Sequence, residues 1–426
     1  MIFPLVGKAA SSRGIPGLRF VVENIPGECT VMERIEAGIN EKVMNEIISA
    51  LTQPLTEKEK SPKMEVEKLP RIVFKGNLEE INRFYYKRGW TDGLPIMPPT
   101  EEAVQEMLTG TDLPSDHVVT ELIPRLGKAT IEKIAINAVM AGALPTYMPL
   151  LIAGVEALED PDSYFGRYGV STGSWAPFWI VNGPIRKELD VYGGGGVLSP
   201  GHIANATIGR AMGLIIKNIG GIRQQIEDMG VHGNPGKYSM VIGENEEESP
   251  WEPLHVERGF KTEDSTVTLS FPKSYIDVLS YKASAEGALD TIINTIPPSS
   301  GGMMVAMVNP TYAEYLADAG WTKQKIAQFV KENARCPADK HWYHTINILP
   351  DELKPFIENK ESVWPLILGD DQISIIVSGK NSSYIALALG PFLPYERFVT
   401  KKVELPANWE KLVRKYKDIK PTYVRY

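Results

Sequence analysis

The sequence has little that would brace it covalently or carry it into a membrane. Its 426 residues include two cysteines, Cys29 and Cys336, and no Cys-x-x-Cys pair, which excludes a disulfide framework. No apolar run is long enough to span a bilayer, and the N-terminal stretch is too short and polar for a secretory signal. A net charge of −8 is not that of a typical nucleic-acid-binding protein. These absences predict a cytoplasmic protein that binds neither nucleic acid nor membrane.

The chain does contain ample core-forming residues and many turn formers. Hydrophobic residues make up 43%, and there are 37 glycines and 32 prolines, which suits a loop-rich enzyme. A strand-like run at 301–310 is followed by helical patterns at 312–319 and 322–334, an order typical of an α/β layer. The predicted fold is α/β: mixed sheets with helices, in two lobes, plus an N-terminal partial α/β segment.

Changes of composition predict the domain boundaries. Residues 1–53 hold one strand-like run, Leu18–Val22, and one amphipathic helical pattern from Glu33 to Leu51, too little to bury a core alone. Such a segment must dock on the rest of the chain or on a partner. The predicted segments are the partial unit (1–53), a charged linker (54–72), a glycine-rich α/β domain with the site (73–290) and a second lobe with a basic C-terminal helix (291–426).

The stretch from Gly193 to Gly259 combines glycine runs with chemically active side chains. Ser199 suits a helix N-cap and Pro200 the first helical position, so the preceding glycines predict an anion site at a helix N-terminus. The alternative is a buried glycine-rich packing helix. The substrate-binding residues predicted from this stretch are Gly194, Gly195, Ser199, His202, Asn205, Arg210 and Lys237.

The second half of that stretch is dense in proton-transfer groups. His255 or Glu257, with Glu244 or Glu246, is predicted to transfer protons or to bind a divalent metal ion, and the alternative is a solvated acidic loop. The predicted catalytic residues are His232, His255, Glu257, Glu244 and Glu246. We expect the 193–196 run, the Ser199/His202 helix start and the 232–237 turn to line one pocket.

Two other stretches contain candidate ligand-binding groups. Ser171 and Ser174 sit on a glycine loop and could hold a carboxylate or phosphate, or could form an ordinary serine-rich turn. No G-x-S-x-G pattern is present, which argues against a hydrolase-type serine. Cys336, His341 and His344 could supply three metal ligands, although the aromatic residues between the histidines favour a packed turn.

The segments TDGLPIMPPT, GGGGVLSPGHIANATIGRAMGLIIKNIGG and HGNPGKYSMVIGENEEESPWEPLHVERGF resemble the bacterial UGSC family, over roughly residues 70–400. That family is named for a selenocysteine- or cysteine-Gly-Ser-Cys motif in an N-terminal domain, and the motif is missing here. Either this member needs no redox pair, or a separate subunit that carries a Cys-Gly-Ser-Cys motif supplies the thiol or selenol redox chemistry that the resemblance implies. The resemblance favours a hetero-oligomer, with a homo-oligomer as the alternative.

Three functions remain open from the sequence. The first is an enzyme, or a subunit of one, that acts on a small polar or anionic organic molecule with a thiol or selenol redox partner. The second is a self-sufficient lyase or hydrolase that uses a metal or His and Glu side chains. The third is a non-catalytic protein that binds a small molecule.

Overall fold

The computed structural model describes residues 10, 15, 17–22, 32–60, 70–298, 302–340, 362–390 and 397–417. The chain forms two compact units, Met1–Lys75 and Gly76–Tyr426. Within the described ranges, no helix combines the length and the hydropathy needed to cross a membrane.

The N-terminal unit contains short helices: α1 (Met32–Gly38), α2 (Glu41–Thr52) and α3 (Glu57–Lys60). The single helix predicted from Glu33 to Leu51 is wrong, because the chain breaks between α1 and α2. Asn40 starts the second helix by accepting a hydrogen bond from the Val43 N–H at 3.1 Å. A side chain that caps an N-terminus favours a new helix over continuation of the old one.

The strand predicted at Leu18–Val22 is also not formed, since these residues adopt no regular secondary structure. Arg19 anchors the segment instead. Its guanidinium donates to the Glu59 carboxylate at 2.9 Å and to the Gln53 carbonyl at 2.7 Å. Because the last carbonyls of a helix have no partner within that helix, an arginine side chain binds them readily. The Arg19 side chain therefore ties this segment to the end of α2 and to α3 without a backbone ladder.

The second unit contains the rest of the regular structure. Its helices are α4 (Leu78–Lys87), α5 (Glu101–Leu108), α6 (Ile131–Ala141), α7 (Met148–Glu159), α8 (Phe165–Tyr168), α9 (Ile185–Glu188), α10 (Ile203–Ile215), α11 (Leu254–Glu257), α12 (Ala285–Thr295), α13 (Pro310–Asp318), α14 (Lys323–Asn333) and α15 (Trp409–Tyr416). Its strands are β1 (Val118–Leu122), β2 (Gly127–Thr130), β3 (Phe178–Asn182), β4 (Val241–Gly243), β5 (Thr266–Ser270), β6 (Ser274–Leu279), β7 (Met304–Val308), β8 (Arg335–Pro337), β9 (Val363–Pro365), β10 (Ile373–Val377), β11 (Tyr384–Leu389) and β12 (Val399–Lys402).

Two mixed sheets form the centre of this unit. The first has the strand order β12-β5-β3-β4 and the second the order β10-β7-β11-β6. In the first sheet β3 runs parallel to β4 and antiparallel to β5, and in the second β7 runs parallel to β10 and antiparallel to β11. The α/β fold with mixed sheets, predicted from the sequence, is confirmed.

Side-chain alternation stacks the layers. In β3, Trp179 and Val181 pack with α6, α7 and α10, whereas Phe178 and Ile180 pack against the inner face of the second sheet. The outer face of that second sheet packs on α12, α13 and α14. Because successive strand residues point to opposite faces, one strand contributes to two cores. The order of layers is helix, sheet, sheet, helix.

The chain passes between the two sheets more than once. Strand β6 precedes residue 290 yet joins the second sheet, while β12 near the C-terminus pairs with β5 of the first. The boundary predicted at 290 is therefore not a division between the sheets.

A buried ion cluster links the helix on the second sheet to the end of the first. Lys323 at the start of α14 has a side chain that is 5% exposed, and its Nζ lies 3.1 Å from Glu244 Oε1 and 3.0 Å from Glu257 Oε2. Glu244 follows β4 and also accepts from Asn182 Nδ2 at 2.6 Å and from the Leu254 N–H at 2.7 Å. Every charge in the cluster thus has a partner, as burial requires.

We predict that Lys323→Met lowers the free energy of unfolding by about 3–5 kcal/mol, because it leaves the Glu244 carboxylate buried without its cation. Urea denaturation measures the effect. Lys282→Met is the matched control: its partner Glu286 is exposed at 3.3 Å, and the expected loss is below about 1 kcal/mol. Equal losses for the two variants would contradict the role of burial.

Candidate functional site

The site depends on unusually close packing of the 237–241 segment against helix α10. A Cβ placed on Gly209 would lie 2.3 Å from Ser239 Oγ and 2.9 Å from Val241 Cγ2, and one on Gly213 would lie 2.9 Å from the Lys237 carbonyl oxygen. Any larger residue at 209 would push the 237–241 segment away. Both glycines thus let the 237–241 segment pack tightly on the helix, as in the packing helix left open as an alternative, whereas Ala206 is exposed.

The TDGLP turn, residues 91–95, also contacts helix α10. Arg210 binds the Asp92 carboxylate through two nitrogens, at 2.8 and 3.0 Å, and donates to the Pro95 carbonyl at 2.7 Å. Just after α10, in a π-helical turn at Ile216–Gly220, Lys217 donates to the Thr91 carbonyl at 2.5 Å. Two of the segments that carry the UGSC resemblance therefore meet at one wall.

A cavity of about 690 Å³ opens between α10 and the loop that follows it. This volume suits a small organic ligand. The charged and polar lining includes Asp92, Arg210, Lys217, Gln224, Gln225, Asp228, His232, Asn234 and Lys237. The apolar and aromatic lining includes Phe165, Tyr168, Trp175, Pro177, Ile216, Ile222, Met229, Val231, Tyr238 and Phe271.

The charges on the lining do not cancel. Arg210 is paired with Asp92, and Lys237 Nζ lies 2.6 and 2.7 Å from the two oxygens of Asp228. Among the described residues, the hydrogen-bond acceptor of Lys217 is a backbone carbonyl, so three cations of the lining face two carboxylates and one positive charge is in excess. Burial lowers the pKa of Lys217 below its usual value, and the nearby Asp92 opposes this shift. The wall is therefore suited to an anion.

The other wall is aromatic. The Tyr168 ring lies 5.2 Å from the Trp175 ring, edge to face, and 5.2 Å from the Phe271 ring, while Phe165 stacks on Phe271 at 6.1 Å. Tyr168 is 4% exposed, and its hydroxyl has no hydrogen-bond partner among the described residues. A flat apolar group would find complementary surfaces here.

Three predicted site residues line this cavity: Arg210, His232 and Lys237. The 193–196 run, Ser199 and His202 are not among its lining residues, so this cavity brings together only part of the site predicted from the sequence. Ser199 does not cap the helix, since α10 begins at Ile203 with His202 at the N-cap. The imidazole of His202 stacks on Tyr192 with ring centres 3.9 Å apart.

The glycine run fits a packing role. A Cβ on Gly193 would lie 2.3 Å from the Gly243 carbonyl oxygen, and the Gly193 carbonyl accepts from the Gly379 N–H at 2.8 Å. Gly195 lies against the side chain of Lys380, and a Cβ on Gly194 would meet the Tyr192 ring. These glycines allow the end of β4 and the turn after β10 to approach closely.

The Asn205 side chain forms hydrogen bonds within the protein. Its amide oxygen accepts from the Tyr192 N–H at 2.8 Å, and its Nδ2 donates to the carbonyls of Tyr192 at 3.0 Å and Val241 at 2.9 Å. The prediction of a substrate-binding Asn205 is therefore not supported, because these bonds fix the chain before α10 to strand β4.

The predicted serines form a local turn beside the cavity. Ser171 Oγ accepts from the Gly173 N–H at 3.0 Å, and the Ser174 carbonyl accepts from Asn234 Nδ2 at 2.9 Å. Neither side chain is part of the cavity lining, whereas Tyr168 and Trp175 of the same loop are. The loop contributes rings rather than hydroxyls.

Four predicted catalytic residues lie outside the cavity lining. Glu244 and Glu257 belong to the Lys323 cluster, and Glu246 accepts from the Gly183 N–H at 2.8 Å. His255 is fully buried, and neither ring nitrogen has a hydrogen-bond partner within the described part of the chain. Burial raises the pKa of Glu257, which its contact with Lys323 opposes. This cluster joins layers of the fold.

The predicted metal ligands are only partly described. Cys336 is buried in β8, where its backbone is opposite Trp364 of β9, and His341 and His344 lie outside the described residues. Among the residues that the structure describes, no three His, Cys, Asp or Glu side chains are grouped to hold a metal ion.

Sequence reasoning missed several residues of the cavity, namely Asp92, Lys217, Tyr168, Trp175 and Asp228. One signal was available: Arg210 and Lys217 interrupt a long apolar helical pattern, and cations are rarely buried without a partner. The pairing of Asp92 with Arg210 joins positions far apart in the chain, and no local pattern predicts it.

Comparison with known proteins gives no relative for this chain. No protein-family model matches it, and no curated protein or solved structure does either. Function must therefore be argued from the site.

We predict that Asn205→Asp lowers the free energy of unfolding by at least about 3 kcal/mol, because a carboxylate oxygen would then face two backbone carbonyls in a buried position. Urea denaturation measures the effect. Asn333→Asp is the control, since its Nδ2 donates to the Phe329 carbonyl at an exposed site. A stable Asn205→Asp protein that binds cavity ligands less tightly would restore the substrate-binding role.

Proposed function

We propose that this protein binds a small anionic organic molecule in the cavity beside Lys217 and acts on it as an enzyme. The observation that carries the proposal is the half-buried Lys217 ammonium, the one cation of the described cavity lining without a carboxylate partner at ion-pair distance. Taking such a cation partly out of water is unfavourable, and an anion in the cavity offsets that cost.

His232 is the candidate for proton transfer. It is exposed on the cavity wall, in the loop that also carries Lys237, and histidine is the most frequent general acid or base in enzymes. The Glu and His residues predicted elsewhere are not needed for this reading. It corresponds to the self-sufficient lyase or hydrolase that the sequence left open.

The redox alternative needs a second chain. None of the side chains described as lining the cavity is a cysteine, so the thiol or selenol chemistry implied by the UGSC resemblance would require a Cys-Gly-Ser-Cys subunit. Purification from the native source, followed by mass spectrometry of stoichiometric partners, tests this. A homo-oligomer or monomer with full activity would exclude the partner.

We predict that Lys217→Gln weakens binding of carboxylate probes about 10- to 100-fold, which corresponds to the loss of one charge-assisted contact. Calorimetric titration at low salt with acetate, succinate, benzoate and inorganic phosphate measures the change. Lys325→Gln is the matched control, because that ammonium also donates to a backbone carbonyl, of Gly320 at 2.9 Å, but outside the cavity. The proposal fails if none of the four probes binds the wild-type protein, or if the two variants bind alike.

A further inference from the structure

Lys217 lies in a π-helical turn that fixes its place on the cavity wall. The turn, Ile216–Gly220, directly follows α10, and π-helical turns are frequent at functional sites. Lys217 donates to the Thr91 carbonyl at 2.5 Å, and the next residue, Asn218, donates to the Trp90 carbonyl at 3.0 Å. Two successive side chains therefore bind the turn to one stretch of backbone, and the amine is held in position before any ligand arrives.

The surroundings of Lys217 favour a neutral amine. The residue is half-buried, its hydrogen-bond acceptor among the described residues is a backbone carbonyl, and the preceding Ile216 lines the same cavity. Burial lowers the pKa of the Lys217 ammonium, and the nearby Asp92 opposes this shift without cancelling it. A lower pKa leaves a larger fraction of the amine with a free lone pair at neutral pH. Partly desolvated lysines are nucleophiles toward carbonyl carbons in enzymes.

The other two cations of the wall are unsuited to this role. Arg210 binds both oxygens of Asp92, and a guanidinium does not lose its proton in proteins. Lys237 Nζ lies 2.6 and 2.7 Å from the two oxygens of Asp228, and a carboxylate at such a distance stabilises the charged ammonium. Among the cations described in the cavity lining, Lys217 is thus the one placed to present a neutral amine.

We propose that Lys217 is a nucleophile that forms an imine with a small 2-oxo acid bound in this cavity. The inference rests on the proposed function and names its substrate class. The Nζ lone pair forms a bond to the carbonyl carbon, and the carbonyl oxygen leaves as water. In total, one ammonium and one ketone give one protonated imine and one water molecule, so the step needs neither an oxidant nor a reductant.

The charges of the wall favour a carboxylate beside the reacting carbonyl. A protonated imine keeps the positive charge of Lys217, while Arg210 and Lys237 stay paired with their carboxylates. The wall therefore has one positive charge in excess both before and after the reaction. In a 2-oxo acid the carboxylate is attached to the reacting carbon, so it lies close to that charge in both states. Covalent intermediates of this kind divide a difficult bond cleavage into easier steps, as a lyase requires.

Reductive trapping of the full chain tests the imine. The wild-type protein is incubated with pyruvate and sodium cyanoborohydride, which reduces an imine to a stable secondary amine. Intact-mass analysis should show a gain of one pyruvic acid less one oxygen atom, and peptide mapping should place the adduct on Lys217. Acetone has a carbonyl but no carboxylate, so it should label Lys217 at least about 10-fold more slowly.

Two variants separate the nucleophile from the charge. Lys217→Arg keeps a positive charge but has no amine that can form an imine, so the yield of adduct should fall at least about 10-fold while succinate still binds. Lys325→Gln is the matched control, because that ammonium donates to the Gly320 carbonyl outside the cavity, and its labelling should equal that of the wild type. Peptide mapping of the wild type identifies the labelled lysine independently of both variants.

The outcomes distinguish this inference from the proposed function. If the carboxylate probes bind and depend on Lys217, but pyruvate gives no adduct or labels lysines without preference for Lys217, the nucleophile is wrong and the anion site stands. An adduct formed equally well in Lys217→Arg also overturns the nucleophile. If acetone labels Lys217 as fast as pyruvate does, the assignment to 2-oxo acids is wrong. If no probe binds and pyruvate leaves no adduct, both proposals fail together.

Discussion

The close contact between helix α10 and the segment before β4 is the constraint on which the rest of this site depends. Gly209 has no side chain, so Ser239 and Val241 pack onto the helix backbone. That contact fixes the start of β4 and the end of the loop that carries Lys237, while the next turns of the same helix present Arg210 and Lys217. Methyl-sized changes in such tightly packed regions are not absorbed locally. The missing side chain at Gly209 therefore sets the distance between a strand of the central sheet and the charged wall of the cavity.

The charges of this molecule are divided between two different tasks. In the Lys323 cluster, the buried charges of Lys323 and Glu244 are partnered with each other and lie between layers, where they align elements of the fold. At the cavity, Lys217 is partly buried and has no carboxylate at ion-pair distance. The first arrangement stabilises the native state. The second leaves the Lys217 ammonium able to gain an ion pair when an anionic ligand binds. In the sequence, the residues of both arrangements are ionisable side chains near glycines. Sequence analysis therefore predicts a catalytic role for Glu244 and His255.

The sequence could predict features that depend on local interactions, but not those that depend on contacts between distant parts of the chain. The α/β class and the helix near 322–334 are set by local patterns, and the structure agrees with them. The cavity is different, because Asp92 meets Arg210 and Tyr168 meets Phe271 only through the tertiary fold. Ser199 has the sequence pattern of a helix N-cap, but the helix starts at Ile203. His202 takes the N-cap position and stacks on Tyr192. Composition points to a stretch of the chain but does not say which of its residues line the cavity.

The way the chain returns to the first sheet has a consequence for its biosynthesis. Strand β12 pairs with β5, with Thr266 opposite Lys402, so this edge of the sheet cannot close until the chain has been synthesised through Lys402. Pairing over such a sequence distance is slow, since a long loop must be closed first. During that interval β5 has a free edge of the kind that other strands recognise. Chaperone demand, and the yield of soluble protein from truncated genes, should therefore be governed by the last few dozen residues rather than by the glycine-rich centre.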